Sequence, residues 1–326
     1  MAILGELDSL IVNEHPFANP STGAAHACGH HCQIGMLLGA AMALNQPTIL
    51  ESLSGRIALI AVPAEEYIEI EYRDELRKQG QLEFLGGKPE LIKLGEFDDV
   101  DLAMMVHTTS TPEEKQLCVS GTNNGTVAKK IQFIGKGSHA GGSPHLGINA
   151  LNAATLALSA IHFNRETFKD ADTVRVHPII TKGGEAVSAV PADVRMETFV
   201  RGKTLEAIMD ANVKVDRALR AGAMAVGASV KIETIPGYMP LSQDKNLYEL
   251  FTPNAVDLVG QENVGSVAHR TGSTDMGDVS QIMPAIHPYV GGAVGLGHGA
   301  TYVVEDYQLS VITAAKSICL LYASDA

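Results

Sequence analysis

Cys28 and His30 stand one residue apart in the segment Ala25-His26-Ala27-Cys28-Gly29-His30-His31, and Glu66, His107 and His298 each sit in a short loop elsewhere in the chain. Together they offer a thiolate, three imidazoles and a carboxylate, a mixture that suits zinc and similar borderline ions. The set is too small to give two ions four ligands each unless a group is shared, and the Cys28 thiolate or a hydroxide could bridge. Two ions about 3.5–4 Å apart would polarise a carbonyl and make a hydroxide available at neutral pH. Glu65, beside a ligand without being one, is then the natural general base, taking a proton from water and passing it to a leaving amine. Two divalent ions are expected, and zinc, manganese and cobalt all fit these donors.

Blander readings compete at single positions. A histidine such as His26, His162 or His177 more often packs or faces water than binds anything. Glu65-Glu66 alone reads equally well as a solvated pair. Cys28 and Cys32 have three residues between them, against two in a redox pair. The joint position of the candidates after buried strands is what favours a site.

The elements that must position these groups follow from the hydrophobic pattern. Residues 3–7 read as a strand ending near Glu6 and Asp8. Residues 34–42 form an apolar, proline-free run that reads as a buried helix, which puts Cys28 and His30 in the turn at its N-terminal end. There the unpaired N–H groups and the positive dipole end favour thiolate over thiol. Residues 55–62 are a continuous apolar run of strand length that stops at Pro63, just before Glu65-Glu66, and residues 100–106 stop at His107. Ligands of open α/β sheets bind outside the carboxyl ends of the strands, so Asp8, Glu65, Glu66 and His107 are expected on one rim. The charged segment 69–79 reads as a solvated helix or loop.

From Val127 the pattern becomes strand, helix, strand, strand, helix, strand, through residue 235. That β-α-β-β-α-β order is the split motif of ferredoxin-like sandwiches. Beyond Pro236 come a helix near residues 246–259, a glycine-rich loop at Thr271-Gly272-Ser273, a strand at 285–290, the loop 295–299 and a final helix at 311–322. The fold class expected is α/β: a catalytic domain, residues 1–122 and 237–326, with a mostly parallel central sheet flanked by helices, interrupted by a ferredoxin-like lid at 123–236.

A formal net charge of −13 leaves no footprint for nucleic acid or for an anionic membrane surface, both of which need clustered Lys and Arg. The 4 cysteines are scattered through a long chain, which argues for a reducing compartment and against a disulfide scaffold. No basic leader and no apolar run of spanning length is legible, so a cytoplasmic location is expected.

The stretches "HACGHHCQIGMLLGAA", "GRIALIAVPAEE", "FDDVDLAMMVHT", "GKGSHAGGSPHLGINAL", "GSTDMGDVSQIMPAIHPYVGG" and "GHGATY", in that order, resemble the dinuclear metallo-amidohydrolases and exopeptidases. That family includes aminoacylase, carboxypeptidase G, auxin-conjugate amidohydrolase and aminobenzoyl-glutamate hydrolase. The resemblance spans nearly the whole chain. The cysteine form of the metal motif, with "FDDVD" and "IHPY", is most similar to the auxin-conjugate, hippurate and aminobenzoyl-glutamate branch.

The resemblance implies that Cys28, His30, Glu66, His107 and His298 are metal ligands and Glu65 the base. It implies that Asp8 orients a ligand histidine. His139 falls where relatives stabilise the oxyanion, often across a dimer. Arg201 falls where they grip a substrate carboxylate, a bidentate task suited to guanidinium. Ser188 and Gly272 are the further substrate-binding positions, and a homodimer through the lid is the implied assembly. Some positions depart from the family pattern: His31 stands where aspartate or asparagine is usual, Ser188 where asparagine is, and Gly299 where serine is. The strand and helix that precede Glu6 in relatives are missing, which predicts an exposed sheet edge.

The function expected is metal-dependent hydrolysis of the amide bond in an N-acyl or N-aroyl amino acid or a small dipeptide. The alternative, from a different class, is a catalytically inactive or truncated member acting as a binding or scaffold protein.

Overall fold

The computed structural model describes residues 1–325, which divide into two compact units. One comprises Met1–Asn123, Leu241–Arg270 and Thr274 onward, and the other Asn124–Pro240 with Thr271–Ser273.

The first unit is built on a parallel sheet in the order Ala285–Ile286, Ala103–Met104, Ala2–Glu6, Ala58–Val62. Ala2–Glu6 is buried at every position, as a strand covered on both faces must be. Alternate side chains divide between two layers. Ile3 joins Cys32, Met36, Ala40 and Leu44 of the helix His30–Leu44, with Ile318 and Leu321 behind them. Ala2 and Leu4 face Met276, Val279 and Met283 on the other side. Ala58–Val62 closes the sheet as an edge strand, with Leu59 exposed. The α/β class predicted from the pattern is the one observed.

A second, mixed sheet in this unit centres on Leu117–Asn123, flanked by Val264–Arg270 and Tyr289–Val290, with His107–Thr108 beyond. The sequence predicts single strands at 100–106 and 285–290; the first narrows to Ala103–Met104 in the parallel sheet, with His107–Thr108 just past its end in the mixed one, and the second divides between the two sheets. Ala285–Ile286 stays in the parallel sheet while Tyr289–Val290 crosses to the mixed one. Pro288 lacks an N–H and cannot continue a ladder, so the break falls at His287-Pro288. His107 breaks in step because its register partner is Tyr289 and its N–H donates to Pro288 O at 3.1 Å. Leu117–Asn123 and Val264–Arg270 went unpredicted, since small and polar residues interrupt their apolar runs.

The second unit is an antiparallel sheet in the order Ser229–Pro236, Gly125–Ile134, Asp193–Gly202, Arg175–Lys182, covered by the helices Ala150–Phe163 and Leu205–Ala225. Strict alternation along Asp193–Gly202 sends Val194, Met196 and Val200 into the helix layer. Asn149 and Thr204 cap the two helices through side-chain oxygens, each in the position such residues favour. This is the ferredoxin-like arrangement expected. Among the described residues, no helix is long and apolar enough to cross a membrane.

Candidate metal centre

Gly29 caps the helix His30–Leu44 with φ 92, so His30 is the first helical residue and only Cys28 remains in the turn. A Cβ at Gly29 would collide with Thr108 Oγ1 and lie 2.6 Å from Tyr302 Oη. The left-handed bend that glycine permits lets Cys28 and His30 face the same space.

The imidazoles of His107 and His30 are each anchored by one nitrogen. His107 Nδ1–H donates to Thr108 O at 2.7 Å, which leaves Nε2 unprotonated, 3.5 Å from Cys28 Sγ. His30 Nδ1–H faces the Asp8 backbone oxygen at 3.0 Å and Asp8 Oδ1 at 3.2 Å, so its Nε2 points inward. Asp8 Oδ2 also accepts the Glu66 N–H at 2.8 Å, which ties the end of the first strand to the turn bearing Glu65 and Glu66. That turn is tight: Ala64 and Tyr67 both have positive φ, at 66 and 54.

The ligand atoms of Cys28, His30 and His107 lie within 4.8 Å of one another, and so do those of Cys28, Glu66 and His298. Cys28 is common to both groups. A third group, Glu6, His30 and Glu65, meets the same limit and shares His30 with the first. The first unit thus brings together Asp8, Cys28, His30, Glu65, Glu66, His107 and His298, the candidates assigned to it.

Burial would raise Glu6, but the Lys88 ammonium and His30 more than reverse this and hold its carboxyl well below the usual carboxylate range. Burial works to lower His30, yet Glu6 and Asp8 carry it up to about 9. His107 is pushed down to about 4 by burial and then by His30. Burial, then Glu66 and Glu65, raises the Cys28 thiol well above its ordinary value, and burial with Glu6 and Asp275 does the same to Glu65. Protons are therefore retained on groups whose anionic forms a cation would stabilise. His30 Nε2 and Glu66 Oε1 are also buried with no hydrogen-bond partner. Two soft-to-borderline donor groups sharing a thiolate, with orphaned atoms aimed between them, fit two divalent ions.

Sequence reasoning missed several neighbours. Glu6, Lys88 and Asp275 are fully buried together. Lys88 Nζ lies 2.5 Å from Glu6 Oε1 and also contacts Asp275 Oδ1. Gln33 clamps Glu6 at both ends, accepting its N–H and donating to Oε2, each at 2.8 Å. His287 is fully buried with neither ring nitrogen bonded, stacked on Tyr289 at 4.9 Å, and Arg270 covers the Tyr289 ring at 3.5 Å. The strand-end rule that found Glu65 and His107 also points to Glu6 and His287. Lys88 carries no comparable signal.

The remaining candidates, His139, Ser188, Arg201 and Gly272, belong to the second unit. His139 is exposed, and its Nδ1 accepts the N–H groups of Gly141 at 3.1 Å and Gly142 at 2.9 Å. The proton must then sit on Nε2, which is left as a donor. Ser188 O accepts the Ala140 N–H at 2.8 Å, beside His139. Arg201 lies over Phe199 at 5.2 Å, and Gly272 has open space around it.

Residues 2–322 match the model of peptidase family M20/M25/M40. The chain belongs to that family. Its M20 relatives include a mouse Xaa-Arg dipeptidase, 30% identical over 98% of this chain and 68% of its own length, and the human Xaa-Arg dipeptidase, 28% identical over 91% and 65%. The chain thus spans about two thirds of the length of these curated relatives. Its fold matches that of a dinuclear metal binding peptidase of the M20 family from Bacillus subtilis, with TM-score 0.66 and 20% identity over 99% of this chain and 80% of that one. An aminobenzoyl-glutamate utilization protein from Klebsiella pneumoniae gives TM-score 0.68 and 19% identity over 98% and 70%. The M20 family comprises hydrolases of amide C–N bonds, in keeping with the resemblance seen in the motifs.

Proposed function

We propose that this M20 protein is a metal-dependent hydrolase that cleaves the amide bond of small dipeptides or N-acyl amino acids carrying a carboxylate. The observation that carries the reading is the sharing of Cys28 by two donor groups, one completed by His30 and His107, the other by Glu66 and His298. A pair of divalent ions held there, zinc, manganese or cobalt, supplies Lewis-acid polarisation of the carbonyl and activation of water.

The protein's own groups do the rest. Glu65 Oε2 takes the proton from the attacking water and delivers it to the departing amine, a task suited to a carboxyl whose proton affinity is raised by burial. Asp8 orients His30 through Nδ1. His139 donates its Nε2–H to the developing oxyanion, and Arg201 grips the substrate carboxylate, with Ser188 and Gly272 lining that end. A cytoplasmic homodimer that pairs through the second unit is part of the proposal. It is supported by the edge strand Arg175–Lys182, where Ile179 is exposed.

The test is elemental analysis of the purified protein, then chelation and reloading with each metal. Hydrolysis is assayed on dipeptides, including ones ending in arginine as the relatives' names suggest, and on N-acyl and N-aroyl amino acids. Two equivalents of metal with cleavage restored on reloading is the expected result. A folded, fully metallated protein inert to the whole panel would overturn the hydrolase reading in favour of a scaffold.

A further inference from the structure

Three groups of donors meet at this rim, and they are not independent. His30 belongs both to the pair with Cys28 and His107 and to the pair with Glu6 and Glu65. Its Nδ1 is held by Asp8, so only Nε2 is available, and it stands 3.1 Å from Glu6 Oε2 and 4.0 Å from Glu65 Oε2. One nitrogen cannot serve an ion on each side. Carboxylates at Glu6 and Glu65 would offer a divalent ion a competing, doubly anionic set of ligands, and an ion drawn there would consume the proposed base as a ligand.

Lys88 stands where this competition is decided. Its ammonium touches Glu6 Oε1 at 2.5 Å and Asp275 Oδ1, and its backbone N–H donates to Asp275 Oδ2 at 3.0 Å. All three residues are completely buried, so the cation is fixed. It is pinned from behind as well, because Gly87 packs so closely on Pro63 O that a Cβ there would collide with it.

We propose that Lys88 is a positioning residue, a built-in cation that occupies the charge position at Glu6 and thereby directs the ion bound by His30 toward Cys28 and His107, leaving Glu65 outside the ligand set. The inference rests on the dinuclear reading above. It assigns Lys88 no contact with substrate.

Cobalt(II) reports the outcome, because a thiolate ligand gives an intense near-ultraviolet charge-transfer band that carboxylate ligands lack. The variants are Lys88→Met/Asp275→Asn, which strands the Glu6 carboxylate without its cation, and Lys88→Met/Glu6→Gln, which removes the competing carboxylate as well. In the first, the cobalt–thiolate band should weaken several-fold and kcat fall about 10–100-fold, the range seen when groups supporting metal ligands are lost, with KM little changed. In the second, the band should return. A folded Lys88→Met/Asp275→Asn protein with the wild-type band and kcat overturns the proposal. If that variant does not fold, Lys88→Met/Glu6→Gln decides, and absence of the thiolate band there overturns it too. Failure of the wild-type protein to bind cobalt would count against the dinuclear reading itself.

Discussion

Among the described residues, each unit buries one lysine completely, and the two are treated differently. Lys129, on the antiparallel sheet of the second unit, meets Asp216 at 2.6 Å and Thr234 Oγ1 at 2.7 Å, and the Asp216 side chain remains 27% exposed. Lys88 meets two carboxylates that water cannot reach at all. The Lys129 pair is a local accommodation: an amine buried under a helix, with its counter-charge at the surface. The Lys88 cluster sets two carboxylates against one ammonium in the dry interior, with the His30 imidazole beside Glu6 as the next positive group, an arrangement that costs stability when either cation is removed. The difference separates a unit optimised for packing from one whose rim is assembled to hold ligands.

The comparison yields a graded set of outcomes. Glu65→Gln should lower kcat by about 10²–10⁴-fold with metal content unchanged, as loss of a general base does, and substantial residual turnover would exclude Glu65 from that role. Because Glu65 is buried among Glu6, Asp275 and Glu66, the same variant should unfold at equal or higher urea concentration than wild type. Lys88→Met in the presence of chelator should cost about 3–5 kcal/mol in urea unfolding, since it leaves buried carboxylates uncompensated. Added divalent metal should restore part of that loss. Lys129→Met should cost only about 1 kcal/mol, because its partner reaches solvent. Equal losses for the two variants would erase the distinction.

A pH series sharpens the contrast at smaller amplitude. In chelated protein His30 is raised to about 9 over an ordinary 6.5, so its stabilising contribution is complete below that ordinary value and disappears as pH rises through about 9. His107, depressed to about 4, has the opposite sign, and stability should fall as pH drops from 6.5 toward 4. The urea midpoint of the chelated protein should therefore decline on both sides of neutrality. Replacing His30 with Asn should flatten the alkaline limb, and an unaltered limb would refute the assignment.

Much of the fold was legible because its signals are local and periodic. The second unit could be read element by element: alternation such as that of Asp193–Gly202 is a period-two signal, and Ala150–Phe163 is long and apolar enough to be a helix. The ligands were legible because each follows a buried strand or opens a helix. What escaped depends on contacts remote in the chain. The crossing of His107–Thr108 into the second sheet is set by a proline 181 positions later in the chain, whose carbonyl receives its N–H. The role of Lys88 needs Glu6, 82 residues away, and Asp275, 187 residues away. No window of sequence contains such a cluster, and a lysine in "GGKPEL" looks like any surface lysine.

Position 29 shows how narrowly the arrangement is specified. A methyl group there would strike the Thr108 hydroxyl and crowd Tyr302, while the backbone bend would already disfavour any L side chain. In a library randomised at this codon and selected for cobalt uptake, only one amino acid should survive, as at the ligand codons on either side of it. The capacity to seat two ions would then depend on a missing carbon between two donors as much as on the donors themselves.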